Sequence, residues 1–144
     1  MKTQKPIFVA SSNRVGFTGT GKGMTLHQKD GVGTYLKFLK DAGVDTFHHG
    51  DCTGADSEAH DIAKAIGYNI VVHPPEDKKS RAFKAGGFVM PPEKYLDRNH
   101  TLVDASSILV AAPKEKTEKL RSGTWATIRY ARKTGTPVKM IYPE

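Results

Sequence analysis

Three glycine-rich turns hold most of the residues whose type and spacing could do chemistry. The first is Thr18-Gly19-Thr20-Gly21-Lys22-Gly23. Glycines allow a tight turn and let backbone N–H groups come close to a phosphate. The turn lacks the full dinucleotide fingerprint and the spacing of a P-loop, so by itself it specifies little. The second is His49-Gly50-Asp51-Cys52-Thr53-Gly54-Ala55-Asp56, in which two glycines flank two carboxylates at a strand-to-helix transition. Asp51 suits hydrogen bonding to ribose hydroxyls. Asp56, in a first helical turn, either complements the helix dipole or serves a ligand. The third is Arg121-Ser122-Gly123-Thr124-Trp125. Ser122 can cap the following helix, Gly123 and Thr124 offer N–H and hydroxyl donors, and Arg121 adds a fork suited to phosphate. If one segment binds phosphate, this is the one expected to. The candidate ligand-binding set from these turns is Gly19, Thr20, Gly21, Gly50, Asp51, Gly54, Ala55, Asp56, Arg121, Ser122, Gly123 and Thr124.

Arg98 and its neighbour Asn99 join that set. Tyr95, Arg98 and Leu102 share one helical face, which puts a cation on a largely apolar stripe. A buried arginine needs a partner. A ligand phosphate would supply one, and an ion pair with Asp97 or Asp104 is the alternative. His48, His49, Cys52 and His60 invite a metal reading, but His48 and His49 are adjacent on a strand and point to opposite faces. Asp56 and His60 stand four apart, yet no zinc-site spacing accompanies them, so no metal and no cofactor is expected. Cys52 has no identifiable base beside it, and no catalytic residue is assigned. Trp125 repeats with Ile128 and Ala131 on one face and reads as core.

The elements that must position these residues alternate. Strands are expected at Val15 to Thr20, Asp45 to His49, Asn69 to His73, Ser107 to Ala112 and Pro137 to Tyr142. Helical periods lie between them: Thr25 with Gln28 forms a capping-box signature before Val32, Leu36 and Leu39. Ala55, Ala59, Ile62 and Ile66 form a stripe that stops at Gly67, and further helices run from about Glu93 to Ala105 and from Gly123 to about Lys133, before Gly135. This is the pattern of an α/β, Rossmann-like, doubly wound and mostly parallel sheet of five or six strands with helices on both faces. The whole of 1–144 reads as one such domain, with 1–13 an N-terminal extension in which Ile7 to Ala10 is a candidate extra strand. Residues 74–92 break the rhythm, and a connection of that length is often functional. It holds Lys78, Lys79, Arg81 and Lys84, and reads either as a basic lid or as a solvated surface hairpin.

Length and composition bound the rest. The 144 residues are 38% hydrophobic and 26% charged, within the globular range. No run of eighteen apolar residues is present, so no membrane partner is expected. A single cysteine fits a reducing, cytoplasmic setting. The formal charge of +7 favours either a polyanionic or phosphate-bearing partner, or simple solubility.

Taken in order, Gly16-Phe17-Thr18-Gly19-Thr20, His48 to Asp56, and Arg121-Ser122-Gly123-Thr124-Trp125-Ala126-Thr127 resemble the SLOG superfamily over roughly residues 14–143. That superfamily includes the cytokinin-activating LOG phosphoribohydrolases, the Rossmann domain of DNA-processing protein A and many small bacterial and phage proteins, and this chain looks closest to the last group. The resemblance implies nucleotide or nucleotide-derivative binding in the crevice and a homo-oligomer. It matches Arg98 to the LOG arginine and Ser122 to Thr124 to the LOG phosphate loop. The catalytic glutamate of those enzymes falls at Thr127, which cannot stabilise an oxocarbenium-like transition state as a carboxylate does. Gly54-Ala55-Asp56 with His60 echoes DNA-processing protein A, whose domain binds single-stranded DNA. Binding of a nucleotide or nucleotide-derived phosphate ligand is therefore the leading expectation. Nucleotide N-glycosidase activity and single-stranded nucleic-acid binding are the alternatives. No aromatic platform for stacking bases is evident in the sequence.

Overall fold

The computed structural model describes residues 13–144. Six parallel strands form one sheet in the order β4-β3-β2-β1-β5-β6. They are β1 (Arg14–Gly19), β2 (Thr46–His49), β3 (Asn69–Val72), β4 (Phe88–Val89), β5 (Ile108–Ala112) and β6 (Val138–Met140). Four helices connect them: α1 (Leu26–Asp41), α2 (Ala55–Ile66), α3 (Tyr95–Asp104) and α4 (Gly123–Thr134). The expected doubly wound architecture is present. Its sixth strand is β4, from within 74–92, while Ile7 to Ala10 lies outside the described residues.

Local signals account for the helix limits. Thr25 and Gln28 form the reciprocal capping box before α1, and Ser122 accepts the Trp125 N–H at the start of α4. Left-handed glycines at positions 67 and 135 end α2 and α4.

Side chains alternate across the sheet, so each face gains its own core. Val15, Phe17, Phe47, Ile70 and Val110 pack with Val32, Leu36 and Ala59 beneath α1 and α2. On the other face, Leu109 meets Leu102, Val103 and Ala131, and Ala111 meets Trp125 and Ile128. Trp125 is core, as its helical spacing indicated. The chain steps from β1 outward to β2 and then, after β4, returns to place β5 on the opposite side of β1. The carboxyl ends of β1 and β5 are thus the point where strand order reverses, the place where such sheets bind ligands.

The turns after β1 and β2 are in contact. The Ala55 N–H donates to the Thr20 carbonyl at 2.9 Å, and Gly54 lies directly against the backbone of Gly21. Gly54 has φ 88° and ψ −127°, a region open only to glycine, and a Cβ there would meet the Gly21 carbonyl. Gly54→Ala is therefore expected to destabilise the fold by about 3 kcal/mol or more in urea denaturation. A loss under about 1 kcal/mol would mean the two turns separate freely.

Candidate functional site

The carboxyl ends of β1 and β5 open into a cleft of about 640 Å³. Gly19, Thr20, Gly21 and Lys22 line it from the first turn, and Cys52 and Thr53 from the second. Lys114 and Glu115 follow β5, Ser122, Gly123 and Thr124 begin α4, and Tyr95 and Ser80 complete the wall. A smaller chamber of about 30 Å³, room for one water, adjoins it. Gly19, Cys52, Tyr95 and Thr124 border both spaces, while Thr18, Gly50, Asp56, Arg98, Asn99 and Thr127 border the chamber alone.

The N-terminus of α4 faces the cleft with open donors. The first N–H groups of a helix have no intrahelical acceptor. Ser122 Oγ takes that of Trp125 at 3.2 Å, and the Ser122 carbonyl takes that of Ala126. Those of Gly123 and Thr124 have no acceptor among the described residues. The Thr124 side chain is nine-tenths buried and its hydroxyl has no partner there either. Thr127, by contrast, returns its hydroxyl to the Gly123 carbonyl at 2.9 Å, so it brings no carboxylate and no free donor to the site.

Two residues of the expected ligand-binding set, Arg98 and Asp51, are hydrogen-bonded within the protein. Arg98 is 2% exposed. Its Nη1 donates to the carbonyls of Gly50 and His73, its Nε to Asn99 Oδ1 at 2.8 Å, and its Nη2 faces Cys52 Sγ at 3.6 Å. Backbone carbonyls, rather than Asp97 or Asp104, are partners that let this cation be buried. Asp51 is fully buried, at φ 58°. Its carboxylate accepts from Arg81 Nε at 2.8 Å and from the Lys84 N–H at 3.0 Å, and its carbonyl from the Ala82 N–H at 2.7 Å. With the Thr53 N–H on the Ser80 carbonyl at 2.9 Å, these bonds pin the segment within 74–92 along the second turn and set Ser80 in the cleft wall. The segment expected as a lid or a hairpin is thus tied down through Asp51.

The four buried histidines form two pairs, divided between the faces as their positions on the strand required. His49 Nδ1 accepts the Asp51 N–H at 2.9 Å, so the His49 proton is on Nε2 and is donated to His60 Nδ1, also at 2.9 Å. His60 then donates from Nε2 to the Ala85 carbonyl at 3.0 Å. That relay requires both rings neutral. Burial, then the charge of His60 and its neighbours, lowers His49 to about 3, and burial lowers His60 as well. On the other face His48 Nδ1 lies 2.8 Å from His73 Nε2. Burial and mutual repulsion lower His48 to about 3, and burial with Arg98 lowers His73 to about 4.

Asp56 accepts the Cys52 N–H at 3.2 Å, and burial raises it to about 6 against the pull of Arg98. Burial also raises the Cys52 thiol, followed by the charge of Asp56, which keeps it protonated and a poor nucleophile. Among the described residues no group of three metal-ligating side chains occurs.

Of the expected set, Gly19, Thr20, Gly21, Ser122, Gly123 and Thr124 line the cleft. Gly50, Asp56, Arg98 and Asn99 border the chamber. Gly54 and Ala55 lie in the contact between turns, and Arg121 is exposed and outside the cleft lining. Sequence reasoning missed Lys114 and Ser80, and did not place Lys22 or Tyr95 in the site. Lys22 and Lys114 each lie just past the end of a strand beside the switch point, which is a legible signal. Ser80 has none.

Several solved structures have the same fold. A molybdenum cofactor binding protein from Rippkaea orientalis superposes with a TM-score of 0.70 at 16% identity, covering 91% of this chain and 77% of its own. DNA processing protein A from Helicobacter pylori, described for its single-stranded DNA binding, gives 0.63 at 18%, covering 90% and 65%. The Moco carrier protein from Chlamydomonas reinhardtii gives 0.64 at 21%, covering 89% and 75%. The chain shares its Rossmann-like α/β fold with these proteins. No protein-family model and no curated protein sequence matches the chain. No helix among the described residues is long and apolar enough to cross a membrane.

The histidine pairs make a pH prediction. Each folded pKa is depressed, so their contribution is complete above about 6.5 and is lost as pH falls toward about 3 to 4, because the unfolded chain takes up protons first. The slope reaches about 1.4 kcal/mol per pH unit for each ring. Asp56 opposes this: its raised pKa contributes stability below about 4 that is lost as pH rises through about 6. Several histidines outweigh one carboxylate, so the urea midpoint is expected to fall between pH 7 and pH 5. A constant midpoint would show that the rings protonate without cost.

Proposed function

We propose that this protein binds a small phosphate-bearing ligand, a nucleotide or nucleotide derivative, with the phosphate at the N-terminus of α4. One observation carries the reading. The open N–H groups of Gly123 and Thr124 and the partnerless hydroxyl of the largely buried Thr124 lie on a cleft flanked by Lys22 and Lys114. Helix N-termini favour anions through these donors and the helix dipole. The cleft volume lies in the range of small-ligand pockets. Two neighbours of the same fold are named for binding or carrying a molybdenum cofactor, which is consistent with a small molecule in such a crevice.

N-glycosidase activity has less support. Asp51 is held by Arg81, and Glu58 accepts the Met24 N–H and pairs with Lys29. Asp56 beside the chamber and Glu115 in the cleft wall are the carboxylates left, and the position of the related catalytic acid is held by Thr127, whose hydroxyl turns back to its own helix. Single-stranded nucleic acid is the second reading. It is favoured by the +7 charge and by the neighbour described as binding single-stranded DNA.

Thermal-shift titration separates these readings. Adenosine 5′-monophosphate is expected to raise Tm, by the equivalent of about 2.7 kcal/mol at a hundredfold excess over Kd. Lys22→Ala and Lys114→Ala should each weaken it about two- to fivefold, as solvent-facing charges do. Arg121→Ala, outside the lining, should change it by less than about twofold. Stabilisation by an oligonucleotide alone, falling steeply with salt, would replace this reading with the second.

A further inference from the structure

We propose that the Tyr95 phenol is a hydrogen-bond donor to the phosphate, its ring held beside Arg98, and that this fourth donor makes the site select a terminal phosphate monoester. The proposal rests on the phosphate position proposed above and adds a residue and a ligand class to it.

The geometry begins at Gly123. A Cβ at this position would coincide with the Tyr95 hydroxyl, so the phenol oxygen sits directly against the first residue of α4. Any side chain at 123 would push the phenol away. Glycine is required there by Tyr95 as well as by backbone exposure. The Tyr95 ring is half exposed, borders both chamber and cleft, and has the Arg98 guanidinium 5.1 Å from its centroid.

Donor and acceptor roles follow from the neighbours. Arg98 Nε carries a hydrogen and can only donate, so the atom of Asn99 it meets at 2.8 Å is Oδ1. A phenol both donates and accepts, so the Tyr95 hydroxyl can direct its hydrogen at a ligand oxygen beside α4. Arg98 is a positioning residue, through its contact with the Tyr95 ring.

Four donors then meet at one place: the N–H groups of Gly123 and Thr124, the Thr124 hydroxyl and the Tyr95 hydroxyl. The Thr124 hydroxyl is an independent sign of a ligand, being nine-tenths buried in the wall without a partner. A phosphate monoester presents three non-bridging oxygens and about two negative charges near neutral pH, whereas a diester presents two such oxygens and one charge. Four convergent donors match the monoester. Lys22 and Lys114 add positive charge at the rim, and Glu115 is the acidic group there.

The test is calorimetric titration with adenosine 5′-monophosphate, inorganic phosphate and 3′,5′-cyclic AMP. The wild type is expected to prefer the monophosphate to the cyclic diester by at least about tenfold. Tyr95→Phe keeps the ring beside Arg98 and should leave the free protein's Tm unchanged, while weakening the monophosphate and inorganic phosphate about tenfold. Unchanged affinity in Tyr95→Phe would overturn the proposal and leave the phosphate site standing. Equal affinity for monophosphate and cyclic diester would overturn the monoester selectivity. Failure of the wild type to bind any of the three would remove the phosphate site and this proposal together.

Discussion

A guanidinium withdrawn from water must find acceptors for its N–H groups, and Arg98 finds them where β2 and β3 run out. The carbonyls of Gly50 and His73 lie beyond the last paired residues of those strands, and Asn99 supplies a side-chain oxygen from the same helix. One buried cation therefore ties two strand ends to α3. It also charges the chamber beside the cleft, where it opposes the burial that raises Asp56. The position of Tyr95 at the mouth of α4 depends on the same side chain, through the cation–π contact. If this arginine moved to meet a ligand, it would leave carbonyls unsatisfied in the interior, and that cost keeps it in place.

A second constraint works from the other side of the second turn. Asp51 holds Arg81, the Lys84 N–H and the Ala82 N–H, and its own N–H begins the relay through His49 and His60 to Ala85. The segment from Ser80 to Ala85 is thereby attached at both ends to a turn that is itself locked against the first turn at Gly54. The relay has a direction, and protonating either ring sets two hydrogens against each other and breaks one of its bonds. Burial maintains the neutral state on which that direction depends. Preorganisation of the cleft wall is the result: Ser80 is placed by the fold before any ligand arrives.

Holding an anion and cleaving a glycosidic bond ask different things of such a turn. The open donors of α4 need only a capped helix start, a glycine and a threonine. A carboxylate positioned over a glycosidic bond would need a further residue, and at position 127 the threonine hydroxyl is turned back to its own helix. Glycine-rich turns and a helix dipole can persist where the acid does not, because they rest on the backbone.

Much of this was legible in the chain itself. Apolar period and turn chemistry determined the alternation of strands and helices, the capping box at Thr25, the glycine stops at 67 and 135, and the burial of Trp125. The adjacency of His48 and His49 on a strand determined that they face opposite layers. The α4 turn at Ser122 to Thr124 could be singled out because capping and N–H exposure are local properties. What only the tertiary structure decided was who meets whom across the sheet. Arg81 reaches Asp51 from thirty positions away, and the carbonyl of residue 50 reaches Arg98 from forty-eight. No local pattern records those pairings, since they follow from strand order and from the demand that buried polar groups be satisfied. The same demand gave Asp51 and Arg98 partners within the protein. It brought Lys114, Ser80 and Tyr95 to the cleft, and turned two residues of the 74–92 segment into the sixth strand.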